Sequence, residues 1–182
     1  KSTFLKTVAI NAILAQTIHT WMADSYSAGL YRIMSSMALR DDLAGGDSYY
    51  IVEIKSLKRI LNQIGENGNP VLCFVDEVLR GTNTVERIAA STQILKSLAR
   101  SSVLCFAATH DIELTHLLER YYNNYHFEEE IIDNDVVFHY RLLKGRAATR
   151  NAIKLLGVMG YDDTIIREAE EMAENFLEKG SW

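Results

Sequence analysis

Apolar positions in the first stretch of the chain recur at helical spacing. Phe4, Leu5, Val8, Ala9, Ala12 and Ile13, continued by Gln16, share one side, which predicts a helix starting close to residue 1 with one buried face. A second helical pattern runs through Tyr50, Ile54, Leu57, Leu61 and Ile64. It ends near Gly65 and the turn-rich Glu66-Asn67-Gly68-Asn69-Pro70, which holds the only proline. Residues 71–75 and 103–107 are continuous apolar runs, the pattern of strands covered on both faces in a parallel sheet. Between them Ile88, Ala89, Leu95, Leu98 and Ala99 give a helix-length stretch its apolar side, so strand, helix, strand with a right-handed crossover is expected. Residues 125–130 and 136–142 alternate around Asp133-Asn134-Asp135, as a β-hairpin does. Ile165, Ile166, Ala169, Met172, Ala173, Phe176 and Leu177 then make a closing amphipathic helix after Gly160-Tyr161. The class is α/β.

Composition narrows this picture. The chain has 182 residues, 48% hydrophobic and 24% charged, enough to bury a core in one domain or a domain with a small appendage. A formal net charge of -5 offers no footprint for wrapping nucleic acid, so any DNA contact is expected on other parts of the protein. No run approaches the roughly eighteen apolar residues of a membrane span, and Lys1-Ser2-Thr3 lacks the layout of a secretory signal. The two cysteines, Cys73 and Cys105, each sit inside an apolar run, which suggests core thiols in a reducing cytosol.

Four segments could carry chemistry. Lys1-Ser2-Thr3 opening a helix is what remains of a phosphate-binding loop, G-x-x-x-x-G-K-[ST], without its glycines; a plain helix cap reads the same way. Asp76-Glu77 follows the first apolar strand directly, at the edge where doubly wound sheets bind ligands. Asp76 would support Mg²⁺ there and Glu77 would orient or deprotonate a water, the alternative being acids that cap a turn. The second strand leads into Ala107-Ala108-Thr109-His110, where His110 could meet a terminal phosphate or serve as a hydrogen-bonded turn residue. Arg40-Asp41-Asp42-Leu43-Ala44-Gly45-Gly46-Asp47-Ser48 ends in a glycine-rich turn whose amides and Ser48 hydroxyl suit an anion, or a serine cap.

Their order and wording resemble the ATPase domain of the MutS family of DNA mismatch-repair proteins. That family carries a phosphate loop ending in GKST, a D-D-L-A-x-G-x-S-T-F signature, an L-D-E-x-x-R-G-T-S-T segment and an F-A-T-H-x-x-E-L-T segment. The last is matched here by Phe106-Ala107-Ala108-Thr109-His110-Asp111-Ile112-Glu113-Leu114-Thr115, and the third by Asp76-Glu77 with Arg80-Gly81-Thr82-Asn83-Thr84. The resemblance implies a P-loop NTPase fold of ABC type: a mostly parallel central sheet flanked by helices, then a β-hairpin and a C-terminal helical element. It also implies that N-terminal strands and the glycine loop are missing before Lys1, so that the chain as given would bind ATP weakly. Residues 1–150 would be the ATPase core and residues 151–182 the helical element.

Carried over by position, Lys1 matches the phosphate lysine, with Ser2 and Asp76 as Mg²⁺ ligands and Thr3 beside them. Glu77 matches the catalytic carboxylate, His110 the switch histidine, and Arg80, Gly81, Thr82 and Asn83 the nucleotide-side loop that communicates across a dimer. Ser48 matches a signature serine supplied in trans by a second MutS-like subunit. The implied function is ATP binding and hydrolysis, coupled through dimerisation to a DNA clamp built by upstream domains.

The alternatives are a degenerate, non-hydrolysing dimerisation module, and the ATPase of a MutS paralogue acting on DNA structures other than mismatches. Departures motivate both. Ser48-Tyr49-Tyr50 stands for Ser-Thr-Phe, Leu79 for the usual glycine, and residues 145–152 differ from the typical Gly-Pro-Ala-x-x-Ser-Tyr-Gly. Transporter or chromosome-clamp ATPases share the chemistry but usually carry L-S-G-G-Q where this chain has Ala44-Gly45-Gly46-Asp47-Ser48.

Overall fold

The computed structural model describes residues 1–37, 48–64, 69–132, 135–147 and 151–180. In chain order the elements are α1 (Ser2–Ile18), β1 (Arg32–Ser36), α2 (Tyr49–Asn62), β2 (Val71–Asp76), α3 (Thr84–Leu98), β3 (Val103–Ala108), α4 (Ile112–Leu117), β4 (Tyr125–His126), β5 (Glu129–Ile132), β6 (Asp135–Phe138), β7 (Leu143–Lys144), α5 (Ala152–Val158) and α6 (Asp163–Lys179). They fall into two compact units, residues 1–124 and 125–182.

The first unit is built on a parallel sheet of order β1-β2-β3, in which Cys73 is registered with Met34 on one side and Cys105 on the other. All five residues 71–75 are buried because β2 is central and covered on both faces. Alternation decides which layer each side chain joins. Val71, Cys73 and Val75 pack with Leu57 and Ile60 of α2, Leu95 and Leu98 of α3, and Leu114 of α4. Leu72 and Phe74 pack with Leu5, Ala9 and Ala12 of α1, and Phe74 stacks on Phe106 at 5.5 Å between centroids. The sheet is therefore sandwiched between α1 and the other helices.

Two expectations need correction, and two further features were not legible in the pattern. The run 103–107 is not covered on both faces: Leu104 is 45% exposed, because β3 is the outer strand of this sheet. Ile13 of α1 and Ile54 of α2 are also exposed rather than buried. In α2 the buried stripe instead runs through Glu53, Ser56, Leu57 and Ile60, about one helical position away from the apolar spacing. Finally, β1 was not foreseen. Arg32 at its start donates to Asn69 O, Gln63 Oε1 and Gln63 O, tying the strand to the end of α2 and the approach to β2.

In the second unit the expected hairpin is two antiparallel ladders, β5-β6 inside and β4-β7 outside, and Asp133 and Asn134 lie outside the described residues. This unit begins at Tyr125, and in it α5 packs on β6 as well as on α6. Asp162 caps α6 through the Thr164 N–H, and that bond holds its carboxyl below the usual range. Gly180 ends the helix with φ 70°, a left-handed cap that suits glycine. No helix among the described residues is long and apolar enough to cross a membrane.

Candidate active site

The C-terminal ends of β2 and β3 lie side by side, with Asp76 registered against Ala108. The ladder continues one step past the strand, where the Glu77 N–H donates to Ala108 O at 2.9 Å. Glu77 then enters the left-handed region with φ 56°, and Leu79 does the same with φ 58°. Neither residue type favours this conformation, which costs roughly 1–2 kcal/mol per residue. The turn reverses the chain sharply enough to set the Glu77 side chain against β3: its Oε1 lies 3.0 Å from His110 Nε2, and its Oε2 lies 3.0 Å from Arg80 Nε.

His110 is positioned by its neighbours. Lys1 Nζ donates to Thr109 O at 3.0 Å and approaches His110 Nδ1 at 3.5 Å, so the start of α1 meets the end of β3. Thr109 Oγ1 accepts the Asp111 N–H, and Arg87 of α3 grips the Asp111 carboxylate with two bonds of 2.7 and 3.0 Å. Such a fork is directional and charge-assisted, and it fixes the residues flanking His110 to α3.

Lys1, Asp76, Glu77, Arg80 and His110 thus gather at one sheet edge. Ser2 and Thr3 open α1 behind Lys1. Gly81 lies under Tyr50, where an added Cβ would meet Tyr50 Cβ at 3.4 Å. Asn83 caps α3 by accepting the Glu86 N–H, and Thr82 lies 3.5 Å from the Glu86 carboxylate, so both polar groups serve the start of α3. Ser48 is the exposed N-cap residue of α2 and makes no cap bond with its hydroxyl; residues 40–47 of the signature segment lie outside the described residues. Among the described residues, no group of three or more His, Cys, Asp and Glu side chains is gathered to cage a metal.

Three contributors were missed in the sequence. Glu53 of α2 is 2% exposed, and its Oε1 accepts the Leu79 N–H while its Oε2 has no partner among the described residues. Burial pushes the Glu53 carboxyl up, the Leu79 and Arg80 amides pull it down, and the Glu77 charge adds to the upward push. Tyr49, at the first turn of α2, has its phenol pushed up by burial and then by Glu53, with Glu77 and Asp76 adding to this and Arg80 opposing. It faces the same acids. The third is the Arg87–Asp111 pair. For Glu53 a signal existed: it stands three residues after Tyr50 and four before Leu57, on the apolar side of a helix.

Chemically, a carboxylate held between a histidine and an arginine, beside a lysine at a helix N-terminus, can bind an anion and take a proton from water next to it. Residues 1–177 match the family model described as MutS domain V. The chain is 33% identical to the DNA mismatch repair protein MutS of Pseudothermotoga lettingae, over 98% of this chain and 22% of that protein. It is 30% identical to the MutS of Thermus aquaticus over 96% of this chain and 21% of that protein, and 29% identical to the MutS of Clostridium perfringens over 96% and 20%. The chain spans about one fifth of the length of these curated relatives.

Proposed function

The chain belongs to the MutS domain V family, and from that premise we propose that it is the ATP-hydrolysing part of a MutS-like DNA mismatch-repair protein, with a P-loop fold of ABC type. The observation that carries this reading is the placement of Glu77 between His110 and Arg80, next to Lys1 at the head of α1. Sheet-edge carboxylate, helix N-terminus and lysine are the parts that phosphoryl transfer to water requires.

In this reading Lys1 and the first amides of α1 neutralise and orient the phosphates. Ser2 and Asp76 offer one hydroxyl and one carboxylate oxygen, a hard, oxygen-only pair that suits Mg²⁺, an ion that keeps waters and phosphate oxygens for its other positions. When bound, Mg²⁺ would neutralise charge on the outer phosphates. Glu77 accepts a proton from the attacking water as the water oxygen bonds to the γ-phosphorus and the bond to the bridging oxygen breaks, giving ADP and phosphate. Each of its oxygens uses one lone pair on His110 or Arg80 and keeps another for that water. His110, linked to both Glu77 and Lys1, holds the base and the phosphate-side lysine in one frame. Ser48 would act on the nucleotide of a second subunit, and nucleotide state would reach DNA through domains outside this chain.

The test uses the full-length protein carrying this segment. E77Q keeps the shape of the carboxylate but removes its basicity, so it should bind ATP as the wild type does and release phosphate ~100-fold or more slowly. Unchanged turnover in E77Q would refute the assignment of the base. ATP binding with no turnover in the wild type would favour the non-hydrolysing module, a reading to which Tyr49 and Leu79 lend support.

A further inference from the structure

Among the described residues Glu53 is the one charged side chain buried as deeply as the hydrophobic core. A carboxylate in that place costs free energy that an apolar residue of the same length would not, and the Leu79 and Arg80 amides offset that cost only in part. Packing alone therefore does not account for it. What it holds does: the N–H of Leu79, one of two left-handed residues in the turn that delivers Glu77. Leucine adopts that conformation poorly, and the neighbouring contact on Gly81 comes from Tyr50, also in the first turn of α2.

We propose that Glu53 is a positioning residue for Glu77: by accepting the Leu79 N–H it locks the left-handed turn at residues 77–79 and so keeps the Glu77 carboxylate against His110. The inference rests on the hydrolytic reading of Glu77. The lock is needed because Leu79 holds φ 58°, a conformation that glycine would take up without help and leucine does not. It also makes α2, the helix that Ser48 begins, the support on which the base is mounted.

The experiment measures ATP turnover and ATP affinity of the full-length protein with E53M, E53Q, L79G and the E53M/L79G double variant, together with amide exchange of Leu79 in the wild type. Methionine preserves length and burial while removing the acceptor. E53M is expected to fold, to lose about tenfold or more in kcat, and to keep KM within about twofold, because misplacing a base acts on the chemical step. E53Q retains an oxygen that can receive the Leu79 N–H and should keep most of the wild-type kcat. L79G should restore part of the lost kcat in the E53M background even though it removes a buried leucine and lowers stability, a recovery that a merely structural role for Glu53 would not give.

In the wild type the Leu79 amide should exchange slowly. Wild-type kcat in E53M, an equal loss in E53Q, no recovery with L79G, or exchange of the Leu79 amide at the rate of an open loop would each overturn the proposal. If E53M does not fold, E53Q and the Leu79 exchange rate decide it alone. A wild-type protein that does not hydrolyse ATP overturns both this proposal and the reading beneath it, whereas an active wild type with an unimpaired E53M overturns the proposal only.

Discussion

His110 Nε2 lies 3.0 Å from Glu77 Oε1, a contact between the ends of two neighbouring strands that joins the residue after β2 to the second residue after β3. His110 is 74% exposed, so the contact contributes little to stability and its removal should be felt in chemistry instead. H110A in the full-length protein is expected to lower kcat by about tenfold, with the thermal midpoint within about a degree of the wild type. Steady-state phosphate release and a thermal melt check both halves. A drop in midpoint that parallels the drop in turnover would count against this role for His110.

Stability should depend on pH through Glu53. Its carboxyl is raised in the folded chain by burial, against the Leu79 and Arg80 amides and with the help of the Glu77 charge, and it titrates at the ordinary glutamate value when unfolded. The folded state therefore holds the proton more tightly. The resulting stabilisation is fully present below the unfolded pKa and is lost as pH rises through the folded one. E53Q does not titrate, so the midpoint of E53Q minus that of the wild type should grow as pH is raised from about 4 to about 7. A difference constant across that window would show that Glu53 is not perturbed.

Phe74 is fully buried in the central strand and stacks on Phe106. F74A opens a cavity between α1 and the sheet and should cost about 3–5 kcal/mol by denaturant titration. A loss under about 1 kcal/mol would mean that this face of β2 is not packed as described.

Cys73 is fully buried beside Cys105 on the next strand. Its thiol is pushed above the ordinary range by the hydrogen bond with Cys105 and by burial. Alkylation at about pH 8, read out by peptide mass spectrometry, should leave Cys73 unlabelled in the folded protein and label it after denaturation. Rapid labelling of the native protein would contradict this packing.

How far the chain could be read in advance follows from where the physics is local. The alternation of Val71, Leu72, Cys73, Phe74 and Val75 between two layers is written in five consecutive apolar residues, and the acids after them mark a strand end, so β2 and the position of Glu77 were legible. β1 was not. Arg32–Ser36 has no apolar run, and it is a strand because β2 supplies a partner and Arg32 finds three carbonyl-type acceptors far along the chain. Leu104 misled for the converse reason, since an apolar run does not say whether its sheet continues. Glu53 shares the apolar side of its helix, but spacing does not reveal its partner: the Leu79 N–H is a donor made available by a turn that leucine and glutamate do not ordinarily form.

The Lys1 to Thr109 bond closes a loop of 108 residues and, with the Glu77 to His110 contact, is made only after α1, β2 and β3 have all docked. Lys1, Glu77 and His110 thus meet only in the finished sheet: a chain halted before β3 would keep local helices and yet never bring these three side chains together.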